Sequence, residues 1–168
     1  FEVVRRRLFG EIKDTAARDK TVEAFSQQYR QGDGEFPPEC RESEYAERMR
    51  ASYPIHPEIF ERLYVDWAGS IDRFQRTRGV LRLMADAIHR LWVQNDQEPL
   101  IMPGSMPLYD SNVRQQFVGY LDDNWNQPMD IDIDGDSCEA ATIERQNQRF
   151  GQVQACRRLT RTIFLGSV

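Results

Sequence analysis

Two stretches of this sequence carry apolar residues at a spacing that only a helix can use. After Pro57 come Ile59, Phe60, Leu63, Tyr64 and Trp67. Further on, Val80, Leu81, Met84, Ala87, Ile88, Leu91 and Trp92 recur at steps of three and four. Such steps return to one face of a 3.6-residue helix, whereas a half-buried strand needs every second residue. The spacing predicts one helix over about 57–67 and a longer one from Arg73 or Thr77 to Val93, with Trp67 and Trp92 in the core. Pro57 suits a first helical turn, with Glu58 and Glu61 near the positive end of the dipole. Gly69 and Ser70 separate the two helices.

Weaker stripes extend the pattern. Val4, Leu8 and Ile12 predict a helix over about 3–12. Asp14 or Thr15 caps a second, with Val22, Phe25 and Tyr29 on its face, and Gly32 and Gly34 stop it. Phe36-Pro37-Pro38 reads as an extended connector, and residues 43–51 as a short helix. Pro99, Pro103, Gly104 and Pro107 mark a loop with Leu100-Ile101-Met102 as a short strand. Ser111 opens a helix carrying Val113, Phe117, Val118, Tyr120 and Leu121. Residues 122–135 read as an acidic, turn-rich segment, and a last helix runs from Arg149 or Val153 to Phe164. The expected fold class is therefore mainly α, a multi-helical array with a small irregular or short-strand subdomain after residue 98. Residues 1–98 form one helical region and 99–168 a smaller helical subdomain, or the two make one unit.

Composition narrows the function classes. With 168 residues, 40% hydrophobic and 29% charged, the chain is an ordinary globular one. No apolar run approaches the ~20 residues of a membrane span. Cys40, Cys138 and Cys156 show no CxxC spacing, so reduced cytoplasmic thiols are expected rather than a disulfide framework or a metal site. A net charge of −5 gives no support for nucleic-acid binding. The chain opens at Phe1 without an initiator methionine and closes on apolar Ile163-Phe164-Leu165, and is read as a fragment. No GxxxxGK[ST] loop, no apolar run ending in paired acids, no nucleophile elbow and no HExxH occurs. No catalytic residue is assigned, and no activity is expected from this stretch alone.

All basic residues except Lys13 and Lys20 are arginine, the side chain that best forks onto phosphates and carboxylates. Arg76, Arg78 and Arg82 sit at the start of the long helix. Cations there oppose the helix dipole at about 0.3–1 kcal/mol each, and Arg78 and Arg82, four apart, share a face. An anion bound at that end would relieve both penalties. The alternative is ordinary pairing with Asp72 and Asp86. Arg157, Arg158 and Arg161 in the last helix are secondary anion contacts, or cations that simply suit a helix C-terminus. His56 reads as a turn histidine bonded to neighbouring backbone, or else as a base or ligand. His89 reads as boundary packing. Asp130 to Asp136 begins like a calcium loop, but its twelfth position is Ala141 rather than the bidentate glutamate, and a solvated acidic turn or edge strand is the competing reading.

Three stretches together resemble a known family. They are Tyr53-Pro54-Ile55-His56-Pro57 through Trp67, Arg73-Phe74-Gln75-Arg76-Thr77-Arg78-Gly79-Val80-Leu81-Arg82-Leu83-Met84-Ala85, and Ala155-Cys156-Arg157-Arg158 through Ser167. The family is one of large bacterial and archaeal proteins of the AAA+ ATPase superfamily, catalogued as domain of unknown function 499, with some members encoded in phage-defence clusters. The resemblance implies that Walker motifs lie upstream and that this chain is a lid-like helical region with a sensor helix. Thr77-Arg78-Gly79-Val80-Leu81-Arg82 is similar to a sensor motif. Arg78 and Arg82, with Arg76 behind them, would then reach the phosphates of ATP, in cis or from a neighbouring subunit of a homo-oligomer. ATP and its Mg would be held mainly by the upstream part. The alternative function is a helical module that binds a protein or nucleic acid without nucleotide chemistry.

Overall fold

The computed structural model describes residues 2–32, 34–67, 76–121 and 123–167, leaving the side chains of Arg76 and Asp123 outside the description. Its helices are α1 Glu2–Leu8, α2 Thr15–Gln31, α3 Ser43–Ser52, α4 Pro57–Glu61, α5 Arg76–Val93, α6 Ser111–Tyr120, α7 Asn126–Pro128, α8 Glu139–Gln146, α9 Gln148–Val153 and α10 Ala155–Gly166. α4 continues as a π-helical turn over Arg62–Trp67, and a second π turn spans Met129–Ile133. The fold is mainly α. The segment expected as a short strand supplies a single isolated parallel bridge, between Ile55 and Ile101. No helix is long and apolar enough to cross a membrane among the described residues. Contacts divide the chain into two compact units, residues 1–57 with 98–101, and residues 58–97 with 102–168.

In the first unit α2 begins where its cap places it: the Asp14 carboxylate accepts from the Ala17 amide at 2.8 Å, satisfying one of the orphan N–H groups of a first turn. α1 ends at Leu8, before Gly10, so Ile12 of the expected stripe falls outside the helix. Val22, Tyr29, Tyr45, Met49, Ile55 and Leu100 are buried. The Tyr53–Pro54 peptide is cis. Beside it the His56 amide donates to the Ile101 carbonyl at 2.9 Å, and the Ile101 amide donates to the Pro54 carbonyl at 2.8 Å.

The second unit is built on the stripes that dominate the sequence. Ile59, Phe60, Leu63 and Trp67 are buried on the α4 continuation, and Val80, Leu83, Met84, Ala87 and Leu91 on α5. Trp67, Phe117 and Phe164 form an edge-to-face aromatic centre with centroids 5.0–5.9 Å apart. The Trp67 indole N–H donates to the Leu165 carbonyl at 3.0 Å, so the large ring is buried with its polar atom satisfied.

Two expectations are corrected here. Trp92 is 82% exposed. It lies on the flank of α5 shared with Leu81 and Ile88, which are only half-buried, and by the last turn that flank has left the core. Residues 123–133 are helical turns rather than an irregular acidic segment. Asp134, expected to be solvated, is 1% exposed. Gly135 follows it because a side chain there would overlap the Asp130 carbonyl.

Candidate functional site

The α5 residues that pack and the α5 residues that carry charge separate by face. Arg78, Arg82 and Asp86 are spaced by four along one row, beside the buried Val80–Leu91 stripe. Arg78 and Arg82 are exposed and Asp86 is half-buried. The first turn of α5 contains no acidic residue. α6 packs alongside, started by Asp110, whose carboxylate accepts from the Asn112 and Val113 amides at 3.0 and 3.2 Å. Val113 and Phe117 turn inward. That orientation leaves Asn112, Gln115, Gln116, Gly119 and Tyr120 to face Arg82 and Asp86 across an open polar groove of about 440 Å³.

Within the groove, the Gln116 side-chain amide donates to Asp86 Oδ2 at 2.8 Å. Arg82 and Arg78 have no ion pair within 4.0 Å among the described residues. The carboxylate that spacing offered to Arg82 is thus taken up by α6. Arg82 is a cationic fork in a groove lined also by the Asp86 carboxylate, side-chain amides and a phenol; its guanidinium and the neighbouring amide N–H groups can donate to phosphate or carboxylate oxygens. The side chain of Arg76, and Arg73 and Asp72 altogether, lie outside the described residues.

The arginines of α10 have a different setting. Arg161 is 3% exposed. Its guanidinium donates to Asp134 Oδ1 at 2.6 Å and to the Gly104 carbonyl at 3.3 Å, and its Cζ lies 5.3 Å from the centroid of the Tyr109 ring. The Tyr109 amide donates to the other Asp134 oxygen at 2.7 Å. Burial pushes the Asp134 carboxyl above its ordinary range, against the opposing pull of Arg161 and of the Tyr109 amide. The Tyr109 phenol is raised too, mainly by burial. Arg157 donates from its backbone N–H at 2.9 Å and from Nε at 2.7 Å to the two oxygens of Glu144, which is itself 4% exposed. Arg158 is half-buried, and a Cβ placed on Gly104 would meet its carbonyl. Two of the three secondary anion candidates are therefore engaged by carboxylates inside the fold. The Asp130–Asp136 stretch begins in the π turn Met129–Ile133, whose C-cap, Asp134, is the Arg161 partner.

His56 is buried in the first unit among Phe25, Tyr29 and Tyr45, ring centroids 6.1–6.4 Å away. Its Nε2 shares a hydrogen bond with the Tyr29 hydroxyl at 2.8 Å, a side chain 27 residues away. Burial, with Arg48 nearby, lowers its pKa from 6.5 to about 4, which keeps the imidazole neutral. His89 is exposed.

Sequence reasoning finds the cationic side of the groove and misses its amide wall. Asn112, Gln115 and Gln116 are polar residues on an amphipathic helix, and such residues ordinarily read as a solvated face. Comparison with known proteins adds one match. The family model described as DUF499 second domain matches residues 1–168. No curated protein and no solved structure matches the chain.

Proposed function

The chain belongs to the DUF499 second-domain family, and from that premise we propose that it is the helical lid and sensor region of a larger AAA+-like P-loop ATPase. The Walker motifs lie elsewhere in the parent polypeptide and hold ATP and Mg. This region closes over the nucleotide and presents Arg78 and Arg82 to its outer phosphates, in cis or to a neighbouring subunit.

The observation that carries the reading is the state of those two arginines. Arg78 is the third and Arg82 the seventh residue of an 18-residue helix; both are exposed, with no ion pair among the described residues, while the nearest acidic residue on their row is bonded to Gln116. An uncompensated Arg78 in the first turn opposes the helix dipole, Arg82 four residues on repels it, and a bound anion would offset both. The alternative, a protein- or nucleic-acid-binding module without nucleotide chemistry, relied on α10 as a basic edge. The engagement of Arg157 and Arg161 with Glu144 and Asp134 weakens it. Phage defence as the parent's setting rests on the family resemblance alone.

Phosphate-sensing arginines contribute about 10³–10⁵ in rate. Arg78→Ala and Arg82→Ala in the full-length protein are expected to cut ATP hydrolysis by about 10³-fold in at least one case, measured as phosphate release under saturating ATP. Wild-type turnover in both variants refutes the proposal.

A further inference from the structure

α8, α9 and α10 fold the segment between residues 139 and 155 back on itself so that its two ends meet. α8 and α9 lie so close that a side chain on Gly151 would press on the Glu144 carbonyl. Gln154, in a left-handed conformation (φ 51°), turns the chain from α9 into α10. Arg157 then holds Glu144 through two hydrogen bonds, fixing the start of α10 against α8. A cysteine stands at each end of this closed segment. Cys138 is the N-cap of α8, its Sγ accepting from the Ala141 amide at 3.3 Å. It is fully buried with Ala140 and Ala141, and Cys156 packs against that same small cluster. Both sulfurs are free, and Cys156 is the half-exposed one.

We propose that Cys138 and Cys156 are a reversible redox pair that closes to a disulfide on exposure to peroxide. The solvent-accessible Cys156 thiolate attacks the O–O bond of hydrogen peroxide, forming a sulfenic acid and releasing water once the leaving hydroxide is protonated. The Cys138 thiol then attacks the sulfenyl sulfur, the S–O bond breaks, and a second water leaves as the S–S bond forms. Two thiols and one peroxide become one disulfide and two waters. Cys138 shares its buried cluster with the small side chains of Ala140 and Ala141, and it needs no solvent access because its reaction partner is internal. The bond ties the N-terminus of α8 to the first turn of α10 and closes a loop of moderate length around an already formed hairpin.

The test is peptide mapping of the peroxide-treated chain under non-reducing conditions, in monomeric protein. The expected product is a Cys138–Cys156 linked peptide, with Cys40 still alkylatable, and a melting temperature raised by several degrees that returns on dithiothreitol treatment. Cys138→Ser retains a good helix cap, so it is expected to fold and to stop at a Cys156 sulfenic acid that dimedone traps. Cys156→Ser is expected to leave Cys138 unoxidised. A linkage to Cys40, a disulfide between two chains, or over-oxidation of Cys156 with Cys138 still a free thiol would each overturn the pairing.

Discussion

Arg78 and Arg82 on α5, and Arg157 and Arg161 on α10, are the same motif in sequence, two arginines four residues apart on a helix. The structure gives them opposite environments. The α10 pair is buried or half-buried and locked to Glu144 and Asp134. The α5 pair is exposed, without an ion pair among the described residues. The lesson is that spacing identifies which arginines share a face but says nothing of what that face meets. The deciding carboxylates come from segments 13 and 27 residues away. Position along the helix does not separate the pairs, since each holds the third and seventh places of its helix, so the carboxylates supplied from elsewhere make the difference.

If the comparison is right, the two pairs must respond to truncation very differently. The largest effect is expected at Arg161. Its removal strands a buried carboxylate, which costs about 3–5 kcal/mol, read as a large fall in the urea midpoint. The cost also depends on pH. Asp134 already has a raised folded-state pKa, and losing the cation raises it further. Protonation then relieves the stranded charge, so the penalty of Arg161→Ala shrinks at acid pH and grows as pH rises through the carboxyl's raised wild-type folded value. A penalty under 1 kcal/mol at pH 8 would mean that the buried pair is no more consequential than the exposed one.

His56 sharpens the same contrast from the first unit, because it answers burial by shedding its charge instead of pairing it. Its folded pKa of about 4 lies below its ordinary 6.5, so the folded state favours the neutral ring. That contribution is fully present above pH 6.5 and is lost as pH falls toward 4. It corresponds to about 3 kcal/mol over that window. Urea unfolding from pH 7 to pH 4 is expected to show this loss, and His56→Gln is expected to flatten it whatever its own stability. An unchanged pH slope in the variant would show that other groups carry the acid sensitivity.

The helical framework was legible because its signals are local. Asp14 caps α2 through its own neighbour three residues on, and the α5 stripe needs only its own periodicity. α8 was missed because its buried face is alanine with a cysteine cap, too weak an apolar signal to register. The two π turns were missed because they differ from α-helix by one residue per turn, which an apolar pattern does not resolve. At the candidate site, Arg78 and Arg82 were legible through their conflict with the helix dipole. The amide wall on α6 was not, since Gln116 reaches Asp86 across 30 residues of sequence. The same holds for Asp134, which looked like part of a solvated acidic turn until Arg161 covered it.

The smallest expected effect is also the most discriminating. Arg78→Ala and Arg82→Ala remove guanidinium groups that hold no ion pair among the described residues, so no buried charge is stranded. Alanine is a better helix former than arginine, either variant removes the like-charge pair four residues apart, and Arg78→Ala also withdraws a cation from the positive end of the dipole. Each variant is therefore expected to unfold within about 0.5 kcal/mol of wild type, with the shift toward stabilisation. The measurement is the same urea midpoint used for Arg161→Ala, so the two ends of the comparison are read on one scale. A loss above 1 kcal/mol at either position would make that arginine a structural group. A fall in the parent's ATP hydrolysis would then no longer separate a lost phosphate contact from a misfolded lid. Preserved stability together with lost hydrolysis is the combination that only a functional role at the start of α5 produces.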